Sequence, residues 1–404
     1  LDLVPKLCLG THVREALLRN WKQSFQKTRD QAELGHEVKL DLADGIRICL
    51  LMVTVAVLQL TPVRAADLDP APVYREHQDL SYYLDSRGVR HPIRTVADWE
   101  IRRSHILAHM QAVMGPLPKP AVPIPLDVQI LNEQTLGPIV RRKIAYHTDS
   151  PARRVSAYLF LPAKANGRVP AVLCLHQTTT IGKDEPAGLG TNVDLQYALH
   201  LAQRGYVTLA PDYPSFGEYP DTFDPKEGYV SGTMKAIYDN IRALDLLQSL
   251  PQVNPDCIGC IGHSLGGHNT MFTAAFDPRI KALVSNCGFT RFHKYYGGKL
   301  KGWTSARYMP LIASQYGNDP ERVPFDFTEI VACFAPRAFL ASSPLHDDNF
   351  EVSGVRDVIA AARPIYALYG TPQNLQANYP DCKHSFPPAA REVAYKFLDE
   401  HLKP

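Results

Sequence analysis

The stretch Asp256-Cys257-Ile258-Gly259-Cys260-Ile261-Gly262-His263-Ser264-Leu265-Gly266-Gly267 decides how the chain is read. An apolar run ends at Gly262, a helical pattern starts after Ser264, and Gly-x-Ser-x-Gly spans the join, the context in which that motif carries chemical meaning. A serine there sits on a sharp, strained turn, and Gly262 and Gly266 let strand and helix pack closely. Ser264 also meets the positive end of the helix dipole, and the Leu265 N–H faces a developing oxyanion.

A serine hydroxyl needs a histidine to take its proton and an acid to orient that histidine. In this strand–turn–helix context both partners follow the serine in the chain. Leu345-His346-Asp347-Asp348-Asn349-Phe350 follows a strand expected at 338–342, so Asp347 or Asp348 is the acid, with Asp347 favoured. Tyr379-Pro380-Asp381-Cys382-Lys383-His384 precedes the last helix and makes His384 the base. His263, His268 and His346 read as packing or capping residues.

Outward from the elbow, the chain from about residue 137 alternates strand-like and helix-like segments, the pattern of a mostly parallel α/β sheet covered on both faces. Strands are expected at 140–147, 154–161, 169–175, 206–210, 257–261, 280–286, 338–342 and, weakly, 374–378. Helices are expected at 194–204, 232–249, 264–275, 352–362 and 389–402. Ahead of the sheet, 96–114 has helical periodicity with Asp98 as its N-cap, and the Pro-rich link 115–125 follows. The loop after the strand 169–175, Leu175-His176-Gln177-Thr178-Thr179-Thr180, should supply the second oxyanion N–H, from Thr178 with Gln177 next.

These pieces resemble the α/β-hydrolase superfamily, and within it the dienelactone hydrolase, acetyl xylan esterase and prolyl oligopeptidase-like secreted bacterial hydrolases. The matching residues are Leu175-His176, the run from Ala202 to Tyr213 with Phe216-Gly217, Gly262-His263-Ser264-Leu265-Gly266-Gly267, and His384-Ser385-Phe386-Pro387. Asp98-Trp99-Glu100 with Arg102-Arg103 resembles the N-terminal segment of secreted carbohydrate esterases, including glucuronoyl esterases. Those carry Gly-Cys-Ser at the elbow, and this chain departs from them with Gly-His-Ser. The resemblance implies cofactor-free hydrolysis of an ester or related acyl bond, with the substrate left open. An ester hydrolase acting on a small-molecule or carbohydrate ester is favoured over a prolyl oligopeptidase-type peptidase without a propeller, and over a non-catalytic binding protein.

The insertion 289–324 carries Phe289, Phe292, Tyr295, Tyr296, Trp303, Tyr308 and Tyr316 at the sheet edge where substrate walls belong. Phe289 and Trp303 are its candidate substrate contacts, joined by Tyr213 from the loop 213–219.

Composition narrows the class further. The 404 residues are 45% apolar and 21% charged with a net charge of +2, which excludes disordered and disulfide-framework chains and argues against a nucleic-acid partner. Residues 48–60 form an apolar run after Arg47 and before Ala65-Ala66, the pattern of a signal peptide over 45–65. The run is too short to span a bilayer, so cleavage is expected rather than a stable membrane anchor, and the product is secreted or periplasmic. Residues 1–44 read as an upstream non-native extension, 66–125 as a helical extension with its link, and 126–404 as the catalytic domain. Among eight cysteines, Cys257-x-x-Cys260 looks like a redox or zinc half-site. In a strand its side chains point to opposite faces, and no second pair completes a metal set.

Overall fold

A computed structural model describes residues 71–120, 122–164, 167–219 and 229–403. The expectations for 1–44 and 45–65 lie outside the described residues. Two short strands, β1 (Tyr82–Leu84) and β2 (Arg90–Pro92), form an antiparallel hairpin ahead of helix α1 (Val96–Met114). The cap of α1 is Thr95 rather than Asp98. Thr95 Oγ1 accepts from the Asp98 N–H at 3.2 Å, and Asp98 Oδ2 accepts from the Thr95 N–H at 2.8 Å, so the aspartate fills the third helical position of a capping box.

Among the described residues the main sheet has nine strands: β3 (Gln129–Leu136), β4 (Ile139–Tyr146), β5 (Val155–Pro162), β6 (Val169–Leu175), β7 (Val207–Pro211), β8 (Val253–His263), β9 (Ile280–Asn286), β10 (Ala338–Ser342) and β11 (Leu375–Asn378). Their order is β11-β10-β9-β8-β6-β7-β5-β4-β3. The β3–β4, β4–β5 and β5–β7 pairs run antiparallel, and all others parallel. Among the described residues the intervening α-helices of six residues or more are α2 (Tyr197–Gln203), α3 (Gly232–Ser249), α4 (Leu265–Phe276), α5 (Phe327–Ala332), α6 (Val352–Leu368) and α7 (Pro388–Leu402).

Strand periodicity sorts the core. Ala171, Leu173 and Leu175 of β6 face one cluster with α3, α4 and α6, while Val172 and Cys174 face the other with α2 and α7. Trp99, Ile106, Met110 and Val113 of α1 belong to the first cluster, so the N-terminal helix shares the core of the sheet. Its charged lock is buried: Arg102 Nη2 donates to Glu329 Oε1 at 2.5 Å, and His77 Nδ1 stands 2.8 Å from Glu329 Oε2.

Several elements differ from the sequence reading, which had no place for the hairpin β1–β2 or for the short helix α5. Strand β3 was not expected, because its apolar residues Ile130, Leu131 and Leu136 do not alternate with polar ones, and the strand is almost wholly exposed. The helix expected at 194–204 breaks at Gln196 (ψ 38°) into a 3₁₀ turn, Val193–Leu195, and α2. Helix α6 continues through Pro364 to Leu368, at the cost of the backbone bond Pro364 cannot donate. Cys257 and Cys260 are both free thiols, the first partly exposed and the second buried.

Candidate active site

Strand β8 delivers Ser264 into a forbidden corner of backbone space, with φ 55° and ψ −117°. The turn is held by the Ser264 N–H, which donates to the Asn286 carbonyl at 2.8 Å, and by the His268 N–H, which donates to the Ser264 carbonyl at 3.1 Å. Only glycine fits around it. A Cβ on Gly262 would lie 2.2 Å from the Gly266 carbonyl carbon, and one on Gly266 would lie 1.8 Å from the Leu175 carbonyl oxygen.

The Asn286 side chain ties the elbow to the loop after β11. Its Nδ2 donates to His263 Nδ1 at 2.7 Å and to the Ser385 carbonyl at 3.1 Å. Next to Ser385, His384 Nδ1 lies 2.8 Å from Asp347 Oδ2. Asp347 Oδ1 accepts from the N–H groups of Asn349 (2.8 Å) and Phe350 (3.1 Å). Burial alone would raise the Asp347 pKa, but the His384 hydrogen bond and charge and these two N–H groups hold it below the usual value. Asp348 is exposed. The Cys287 thiol completes a tight group in which Cys287, Asp347 and His384 each bring a polar atom within 4.8 Å of the others. Burial and the Asp347 charge push that thiol's pKa far up, so it is an S–H group rather than a thiolate ligand.

The loop after β6 is pinned by His176. Its Nε2 accepts from the Tyr213 N–H at 2.9 Å, so Nδ1 carries the proton and donates to the Gln177 carbonyl at 2.6 Å. Thr178 then reaches the cavity mouth, where its hydroxyl meets Tyr308 OH at 3.1 Å. Ser264, Leu265, His384 and Thr178 line one cavity of about 340 Å³. Its far wall comes from the insertion 289–324, through Tyr295, Trp303 and Tyr308. A second hydroxyl bridge, from Tyr296 OH to Asn349 Oδ1, joins the insertion to the loop that carries Asp347.

The expected substrate contacts separate. Trp303 lines the cavity. Tyr213 does not; it is 4% exposed, gives its hydroxyl to the Arg307 carbonyl at 2.8 Å, and supports Tyr308 from behind. Phe289 is also not a wall. It is wholly buried and stacks on Phe327 at 5.6 Å, because it follows β9 into the core before the insertion turns outward. His268 moves the other way: read from sequence as packing, it lines the cavity one helical turn after Ser264. The four-residue spacing was the available signal. Asn286 had none, since its role depends on two loops meeting at the sheet edge.

A nine-stranded, mostly parallel sheet with helices on both faces and a serine elbow at the end of its central strand is that of an α/β-hydrolase. Residues 192–404 match the model of the prolyl oligopeptidase family, and the chain belongs to that family. It is 30% identical over 260 residues to the protein YtaP of Bacillus subtilis (strain 168), a match covering 62% of this chain and 84% of YtaP. It is 23% identical over 293 residues to carbohydrate esterase MZ0003 from an unknown prokaryotic organism, covering 59% and 67% of the two chains. The solved glucuronoyl esterase from Solibacter usitatus shares the fold with a TM-score of 0.62 at 19% identity, over 82% of this chain and 99% of that one. Relatives named as esterases accompany the family match, and the protein is an esterase-like α/β-hydrolase.

Proposed function

We propose that the protein hydrolyses carboxylic esters through a Ser264-His384-Asp347 triad and an acyl-enzyme. The observation that carries this reading is the 2.8 Å bond from His384 Nδ1 to a buried Asp347, with His384 and the strained Ser264 on one cavity. Asp347 fixes the tautomer that leaves His384 Nε2 free to accept a proton. As that nitrogen takes the Ser264 proton, Oγ attacks the ester carbonyl carbon. The oxyanion is met by the Leu265 N–H at the start of α4 and by the Thr178 N–H. The tetrahedral centre then expels the alcohol, which leaves with the proton from His384. Water, deprotonated by the same nitrogen, adds to the acyl-enzyme, and collapse frees the acid and returns the proton to Ser264.

An ester attached to a carbohydrate is the favoured substrate class, supported by carbohydrate esterases among the relatives and by the Tyr and Trp faces of the wall. The run 48–60 and the small residues after it support export, which N-terminal sequencing of native protein checks. Among the described residues no helix is long and apolar enough to cross a membrane.

The test is a panel of 4-nitrophenyl acyl esters against prolyl and alanyl 4-nitroanilides. Turnover of the esters is expected, falling about 10⁶-fold in Ser264→Ala with the fold kept. Preference for the anilides would replace the ester reading with a peptidase.

A further inference from the structure

His268 stands one turn after Ser264 on α4, so the two side chains share one face of that helix. Its imidazole lines the cavity yet is only 2% exposed. The ring is clamped edge-on against Phe272 (centroids 4.6 Å apart) and Trp303 (4.9 Å). Among the described residues its Nε2 has no hydrogen-bond partner. Burial pushes its pKa down to about 3, so the ring is uncharged at ordinary pH.

It is not alone. Gln177 Oε1 and Trp303 Nε1, on two other residues of the cavity lining, are also buried without partners. An unmatched buried polar group is destabilising, and groups of this kind are normally satisfied. Three of them gathered on one cavity beside the nucleophile mark polarity that the protein does not satisfy internally. Among the described residues the lining contains no Asp, Glu, Lys or Arg. A carboxylate or ammonium entering it would lose its hydration without meeting a counter-charge. A hydroxyl both donates and accepts, and so complements an imidazole, an amide oxygen or an indole N–H.

We propose that His268 is a specificity-determining residue, its imidazole pairing with an uncharged hydroxyl of the substrate group held beside Ser264, so that the site selects neutral polyhydroxy esters over deoxy and charged ones. The proposal rests on the ester-hydrolase reading above. Tyr295 and Trp303 supply ring faces for the C–H surface of such a group, while His268 reads its oxygen.

Three acetate esters test it: mono-O-acetylated methyl xyloside, cyclohexyl acetate and mono-O-acetylated glucuronate. The wild-type protein is expected to favour the xyloside by about tenfold or more in kcat/KM over each of the others, the worth of one well-made hydrogen bond. His268→Phe keeps an aromatic ring between Phe272 and Trp303 but removes both nitrogens, and should bring the xyloside to cyclohexyl ratio near one, mainly through KM on the xyloside. His268→Gln, which restores a polar group, should recover part of the ratio. Ratios within one preparation cancel any loss of folded protein. A wild-type ratio near one, or an unchanged ratio in His268→Phe, overturns the proposal. Failure of the wild-type protein to hydrolyse 4-nitrophenyl acetate instead removes the ester reading, and the proposal with it.

Discussion

The carbonyl oxygen of Leu175 stands 1.8 Å from where the first side-chain atom of any residue but glycine would sit at position 266. The end of β6 and the first turn of α4 therefore touch through backbone alone, which brings Thr178, three residues past that carbonyl, beside the Ser264 elbow.

Gly266→Ala is expected to force β6 and α4 apart and move Thr178 relative to Ser264. Because the obstacle is backbone, relief requires displacing a central strand, at a cost of about 3 kcal/mol or more. Thermal unfolding should show a lowered midpoint, and ester turnover should fall by at least about 100-fold. A variant with wild-type melting temperature and activity would contradict the packing described.

Adjacent aspartates with opposite surroundings give a second expectation. Asp347 is 7% exposed and bonded to His384, whereas Asp348 is exposed. Asp347→Asn should lose about 10⁴-fold in turnover through loss of tautomer control, as in serine-protease triads. Asp348→Asn should remain within about tenfold of wild type. The reverse order, measured on folded variants, would move the orienting role to Asp348.

A third concerns pH and the lock on α1. Burial alone would lower the His77 pKa, but the Glu329 carboxylate outweighs it and raises the value above its ordinary 6.5. Burial would likewise raise Glu329, yet His77 and Arg102 hold it below 4.5. The His77 contribution is therefore complete below about pH 6.5 and lost as pH rises through its raised folded value. The Glu329 contribution is complete above its unfolded value and lost as pH falls through its depressed one. Urea midpoints should decline between about pH 6 and pH 9 in the wild-type protein, and less steeply in His77→Gln. Equal slopes in the two proteins would show that the pair does not govern alkaline stability.

How far these features could be read from sequence depends on the range of the interactions behind them. Helices α1 and α3 and strands β6, β9 and β10 match their expected bounds, because apolar periodicity and nearby turn residues specify them locally. Strand β3 escaped because it pairs through backbone at the sheet edge and its few apolar residues do not alternate. In the site, Ser264 was legible from glycine spacing, and the loops bearing Asp347 and His384 from chain order. The separation of Trp303 from Phe289 was not, since both are aromatic residues of one segment and only the turn after β9 sends the first inward. Asn286 bonds to His263 and Ser385, partners 23 and 99 positions away, and composition holds no trace of such a meeting.

The two hydroxyl bridges at the cavity mouth give the insertion 289–324 a suspension with two anchor points. Tyr308 hangs from Thr178 on one side and Tyr296 from Asn349 on the other. One anchor belongs to the loop after β6 and the other to the loop that holds Asp347, so the wall is not a free flap over finished machinery. The wall of the cavity and the carboxylate bonded to His384 thus share one support, and neither can be placed without the other.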